Sequence, residues 1–178
     1  MIDEAVSLAK ESDVAIMVLG GNEKTVREEY SRTSLNLCGR QEKLLQAVYA
    51  TGKPVVLVLV DGRAATINWA ERYLSGILHA WFPGEFMGDA IAKVLFGDYN
   101  PGGKLAVTFP RSVGQLPLFY NHLNTGRPDP DNRVFNRYAS NYLDESNEPL
   151  YPFGYGLSYT DFVYGDLQLS SDCLLYTS

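Results

Sequence analysis

Three glutamates, Glu23, Glu28 and Glu29, fall in the stretch Gly20-Gly21-Asn22-Glu23-Lys24-Thr25-Val26-Arg27-Glu28-Glu29-Tyr30-Ser31-Arg32-Thr33-Ser34-Leu35, interleaved with Lys24, Arg27 and Arg32. A carboxyl group donates a proton near neutral pH when burial or a neighbouring carboxylate raises its pKa; in water the same residues form an ordinary solvated charge cluster. The pattern alone leaves both readings open. What singles the stretch out is its position after the apolar run 14–19, because ligand sites of parallel α/β sheets lie beyond the carboxyl ends of the strands. The other reactive side chains suggest less. Cys38 and Cys173 form neither a metal-ligand spacing nor a disulfide framework, and Cys38 reads as a small packed residue just before a predicted helix. A helix start can lower a thiol pKa, but no His or second Cys lies near Cys38 in sequence to complete a nucleophile pair. His79, in an apolar run, and His122, in an irregular stretch, read as satisfied structural histidines, and no second metal ligand sits at a useful spacing from either. No metal and no cofactor is expected.

The elements that must hold these residues follow from periodicity. Ile2, Ala5, Val6 and Ala9 make the one-faced stripe of an amphipathic helix, and the run 13–19 then reads as a buried strand ending in Gly20-Gly21. Gln41, Leu44, Leu45 and Val48 make a second stripe, closed by Gly52 as a C-terminal cap and by Pro54. A strand over Val55–Val60, a short helix over 67–73, a strand over 76–82, a helix over 87–95 and a last strand over 104–109 complete the series. Continuous apolar strands alternating with helices predict an α/β, doubly wound fold, a mostly parallel sheet with helices on both faces. The chain opens on a helix, so a strand is expected upstream of it.

After Pro110 the character changes to an irregular stretch rich in Pro, Asn, Asp and Tyr. Irregular segments of this length occur in compact domains mainly where they are functional or lie over another surface. Phe162 and Tyr164 alternate like the opening of a separate all-β module spanning 159–172. Residues 173–178, Cys-Leu-Leu-Tyr-Thr-Ser, fit neither composition and read as a non-native tail translated from a sequencing adapter.

Composition closes several classes. The chain has 178 residues, 46% hydrophobic and 20% charged, with a formal net charge of -6. That is one domain with an ordinary core. Without a basic cluster it offers no footprint for nucleic acid or anionic lipid. The longest apolar run, 55–60, is far short of the ~20 residues a membrane helix needs. Met1-Ile2-Asp3-Glu4-Ala5 has neither the basic start nor the apolar middle of a signal peptide.

Several long strings carry a family resemblance. Leu95-Phe96-Gly97-Asp98-Tyr99-Asn100-Pro101-Gly102-Gly103-Lys104-Leu105, continued by 108–117, resembles the loop and late strand of the second domain of glycoside hydrolase family 3. His122-Leu123-Asn124-Thr125-Gly126-Arg127-Pro128, Arg137-Tyr138, Tyr142-Leu143-Asp144-Glu145 and 151–159 are similar to its bacterial periplasmic β-glucosidase branch. The Pro-Gly-Gly and Gly-Tyr-Gly strings also have a plain reading as turn chemistry. Neither Gly97 nor Gly102 precedes a helix as a phosphate cradle would require.

The resemblance implies an (α/β)6-sandwich-like domain over 1–158, incomplete at its N-terminus, between a TIM-like barrel and a fibronectin III-like module. It implies part of a retaining, exo-acting β-glucosidase that removes terminal non-reducing β-D-glucosyl residues in the periplasm or outside the cell. Retaining glycosidases hold two carboxylates ~5–5.5 Å apart, one a nucleophile and one an acid/base. The family's nucleophile is an Asp of the barrel, and no position here matches its motif. Its acid/base is a Glu four residues before an Arg, which selects Glu28 from Arg32, with Glu29 and Glu23 as alternatives. The commoner pattern is Glu-Gly-x-Asp-Arg, from which Glu29 and Ser31 depart. Tyr138 and Tyr142 are candidate substrate-binding platforms, and Trp81-Phe82 reads first as packed aromatics. A β-xylosidase, an N-acetylglucosaminidase or a free-standing sugar-binding or interaction module are the rival readings. Taken by itself, the chain is expected to be nearly inactive.

Overall fold

The structure, a computed structural model, describes residues 1–124, 126–128 and 137–170. Helix α1, Ile2–Glu11, carries Asp3 and Glu4 in its first turn and Lys10 in its last, each opposite in charge to its end of the helix dipole. Strand β1, Ala15–Gly20, helix α2, Gln41–Tyr49, and strand β2, Val55–Val60, follow, then helix α3, Asn68–Tyr73, strand β3, Gly76–His79, and helix α4, Met87–Leu95. Gly52, at φ 78, takes the left-handed turn that ends the α2 segment, as its position before Pro54 predicted.

The strands form a parallel sheet in the order β1-β2-β3. Its register aligns Ala15 with Val55 and Leu59 with His79. Val55, Leu57 and Leu59 point to one face, where they pack with Ala9 of α1, Leu45 and Val48 of α2 and Ala70 of α3. Burying each of the Val and Leu side chains contributes roughly 1.5–3 kcal/mol, and the two alanines less. Strands added successively in one direction put their crossover helices on the same side. On the opposite side Val58 is fully buried, but Ile16 and Val18 of β1 are 45% and 63% exposed. The α/β class and the parallel sheet therefore stand, while β1 alternates where its sequence is uniformly apolar.

Two sequence expectations need correction. The strand expected over 76–82 stops at His79, and the backbone turns at Trp81, whose φ is 53. The run 104–109 adds no strand to the parallel sheet. Leu105 N donates to Tyr155 O at 2.8 Å and Gly154 N to Leu105 O at 2.7 Å, and Phe109 exchanges bonds with the 150–151 backbone in an isolated antiparallel bridge. The apolar period was right about burial, since Phe109 is 1% exposed, but the backbone found its partner in the irregular tail. That tail is pinned from below: the Gln115 side chain, 4% exposed, accepts from Arg111 N at 2.6 Å and donates to Ser146 O at 2.7 Å. Residues 161–169 are exposed and hold no strand, and the expected tail 173–178 lies outside the described residues.

Candidate active site

The carboxyl ends of the three strands converge on loops 20–36, 61–66 and 80–86. Gly20, at φ 134, ends β1 so close to β2 that a Cβ would sit 2.0 Å from the Val60 carbonyl oxygen. The Gln41 side chain grips its backbone twice: Gly20 N donates to Oε1 at 2.7 Å, and Nε2 donates to Gly20 O at 2.8 Å. Beyond it Asn22 closes a turn, accepting from Val26 N at 2.8 Å through its carbonyl and from Lys24 N at 2.9 Å through Oδ1. Val26 then wedges between Gly21 and Gly62, where a Cβ on either glycine would meet its methyls at 2.1 and 2.8 Å.

The loop from β2 supplies the brace. Arg63 Nη1 donates to Thr25 O at 2.6 Å and Nη2 to Tyr30 O, so one guanidinium ties down both ends of the span that carries Glu28 and Glu29. Arg63 is held in turn by its own N–H, which donates to Asp61 Oδ1 at 3.1 Å. Asp61 is 4% exposed. Burial pushes its pKa above the ordinary carboxylate value, against the lowering effect of the Arg63 and Gly62 N–H groups and of the Arg63 and Arg32 charges. Neither Asp61 nor Arg63 stood out in the sequence. The signal was present in Asp61-Gly62-Arg63 directly after an apolar strand, the place where a parallel sheet puts its ligand sites.

All three candidate glutamates lie on this one loop and all are exposed. Glu23 pairs with Arg27 at 3.5 Å, a pair open to water on both sides and so of little energetic weight. Arg27 also donates to the Tyr30 hydroxyl at 2.9 Å and lies 4.2 Å from the centre of its ring. Among the described residues no hydrogen bond or ion pair engages the Glu28 or Glu29 carboxylates. Glu29 adopts φ 68, a left-handed conformation that favours glycine. The loop leaves this edge through Arg32, which donates to Asn36 O at 3.0 Å.

Tyr138 and Tyr142 belong to the tail segment. Tyr142, 45% exposed, directs its hydroxyl at Gly114 O from 3.5 Å, and Tyr138, 64% exposed, lies against the Arg137 guanidinium. Trp81 packs with His79 and Phe109, at ring-centre distances of 4.1 and 6.1 Å, as a core aromatic. Phe82 is half exposed beside Gly62. His79 is structural but not satisfied: neither ring nitrogen has a hydrogen-bond partner among the described residues. Burial pulls its pKa down to about 4, opposed only in part by the Arg63 backbone. His122 Nδ1 lies 2.9 Å from Phe119 O at the surface. Cys38 is half-buried and unbridged. The described residues contain no cluster of three or more His, Cys, Asp or Glu able to hold a metal ion, and no helix long and apolar enough to cross a membrane.

Comparison with known proteins places this scaffold. Residues 1–159 match the Glycosyl hydrolase family 3 C-terminal domain. Over 171 residues the chain is 53% identical to the periplasmic beta-glucosidase of Salmonella typhimurium, covering 96% of this chain and 22% of that protein. It is 44% identical over 168 residues to a beta-xylosidase of Formosa agariphila, covering 94% of this chain and 22% of the relative. The crystal structure of the beta-glucosidase from Listeria innocua superposes with a TM-score of 0.84 at 39% identity, covering 89% of this chain and 22% of that one. The chain thus spans about a fifth of the length of these relatives. Family pattern, sequence identity and superposition agree, and the chain belongs to glycosyl hydrolase family 3 as its C-terminal domain.

Proposed function

We propose that this domain supplies the acid/base loop of a retaining, exo-acting β-glucosidase, with Glu28 as the proton donor. The observation that carries this reading is the placement of Glu28: exposed, without an ion-pair partner among the described residues, on a braced loop beyond the carboxyl edge of a parallel sheet. Glu23 lies outside the Thr25–Tyr30 span that Arg63 holds, and Glu29 occupies the left-handed backbone position, so Glu28 is the carboxylate best fitted to reach a substrate. The catalytic Asp that would attack the anomeric carbon belongs, in the family, to the barrel domain. Glu28 would protonate the departing glycosidic oxygen and then deprotonate the water that releases the sugar. Glu28 lies in water here, and docking of the barrel would supply the desolvation a proton donor needs. This is why the chain alone is expected to be nearly inactive.

The substrate would be an oligosaccharide or β-glucoside with a terminal non-reducing glucosyl residue. A β-xylosidase is the second reading, favoured by the 44% identity to the Formosa enzyme. Similarity to the Salmonella periplasmic enzyme supports a periplasmic or secreted parent, and a fibronectin III-like module after residue 158 remains part of the proposal.

The test uses full-length Salmonella periplasmic β-glucosidase in which residues 1–159 of this chain replace the matching segment. Glu28→Ala should lower kcat/KM for cellobiose by about 10²–10⁴-fold, the usual contribution of general acid catalysis. It should spare kcat/KM for 2,4-dinitrophenyl glucoside, whose leaving group needs no proton, and azide should restore turnover of that substrate as glucosyl azide. Unchanged hydrolysis of cellobiose would remove Glu28 from the mechanism.

A further inference from the structure

We propose that Arg63 is a positioning residue for the proton donor: its guanidinium bridges the carbonyls of Thr25 and Tyr30 and so fixes the backbone span that carries Glu28. The inference rests on the acid/base reading of Glu28 and adds to it a residue from a different loop.

Among the described residues the Glu28 carboxylate has no hydrogen-bond or ion-pair partner, so the position of this residue is set through its backbone. That backbone has few anchors between Val26 and Arg32. Within it, Tyr30 N donates to Arg27 O at 3.2 Å, and the Arg27–Tyr30 contact is exposed. Among the described residues, Arg63 is the side chain that bonds this span to the loop after β2. A guanidinium is a rigid planar fork with donors on separate nitrogens. It can therefore hold two carbonyls at a fixed separation, whereas an ammonium on a flexible stem cannot impose that separation.

The fork is itself immobilised. Arg63 is half-buried, and its backbone N–H is bonded to the buried Asp61 carboxylate at the end of β2. Val26, packed over Gly62, keeps the first half of the loop against the same turn. Position thus passes from the central strand β2 through Asp61 and Arg63 to Thr25 and Tyr30, and from there to Glu28. Among the described residues Arg63 forms no ion pair with Glu23, Glu28 or Glu29, and its bonds to the loop go to the two carbonyls. Its effect on Glu28 is then geometric, and misplacing a catalytic group by about 1 Å can cost on the order of 100-fold in rate.

A defect in positioning the acid differs from a general structural defect in which substrates it affects. In the same chimeric enzyme, Arg63→Ala should lower kcat/KM for cellobiose by about 100-fold and leave kcat/KM for 2,4-dinitrophenyl glucoside close to the parent value. Arg63→Lys should show the same selectivity with a smaller loss. It also serves as the informative variant if Arg63→Ala does not fold. Guanidinium ion added to Arg63→Ala below denaturing concentration should recover cellobiose turnover. Equal losses on the two substrates, or no loss on either, would overturn the proposal. Glu28→Ala assayed in parallel separates the two ideas. If Glu28→Ala loses activity selectively on cellobiose and the Arg63 variants do not, the positioning role alone falls. If Glu28→Ala leaves cellobiose hydrolysis intact, the acid/base reading falls and takes the positioning role with it.

Discussion

The amide of Gln41 pairs with the backbone of Gly20 as another strand would, accepting from Gly20 N at 2.7 Å and donating to Gly20 O at 2.8 Å. Gln41 is the first residue of α2, so the helix is stapled to the point where the candidate acid/base loop leaves β1. Replacing it by Leu keeps the bulk but leaves both half-buried groups of Gly20 without partners, at about 1–3 kcal/mol. Gln41→Leu should therefore speed hydrogen exchange of the Gly20 and Gly21 amides by about 10–100-fold, since 1.4 kcal/mol corresponds to a factor of ten in opening. Exchange at the wild-type rate would show that α2 packing alone holds the loop root.

In the register that makes Glu28 the proposed acid/base, Glu29 stands where the commoner family pattern has Gly, and a glycine there would relieve a backbone at φ 68. A side chain in the left-handed region costs roughly 1–2 kcal/mol, partly offset by the greater freedom glycine adds to the unfolded chain. Glu29→Gly should stabilise the domain by about 0.5–1 kcal/mol in urea unfolding, while Glu29→Ala should give no such gain. A destabilised Glu29→Gly would mean that the Glu29 side chain holds the turn.

His79 makes the domain sensitive to acid. Its pKa is about 4 in the folded state against 6.5 for the free side chain, so the unfolded chain binds the extra proton between those values. The stability it protects is complete above about pH 6.5, declines as pH falls toward 4, and levels off below that. The full difference is on the order of 3 kcal/mol. Asp61, whose pKa is raised, acts in the opposite sense, so the contribution of His79 is best isolated by difference. His79→Phe keeps an aromatic ring beside Trp81 and Phe109 and should remove the extra loss of stability between pH 6.5 and 4. Parallel stability curves for the two proteins across that interval would show that His79 titrates normally.

Local chemistry accounts for what the sequence alone determined. Apolar period marked α1, α2, β1, β2 and α4, because a stripe or run of side chains must be buried wherever the chain goes, and Gly52 with Pro54 ended a helix by backbone sterics. The strings around Asn100 and Tyr155, together with the spacing of Glu28 from Arg32, marked the family and the candidate loop. Tertiary structure decided matters that depend on partners distant in the chain. Run 104–109 is apolar enough for a strand, yet pairing is a property of two segments, and its partner proved to be 150–155 in the tail. Burial of Val58 beside exposed Val18 goes with the central place of β2 between β1 and β3, which no single apolar run encodes. Arg63 was one arginine in a loop until folding brought it to Thr25 and Tyr30, 38 and 33 residues away in sequence. Sequence could nominate a carboxylate only through the spacing that the family resemblance implies; the fold alone shows that Arg63 ties down both ends of the span that carries it.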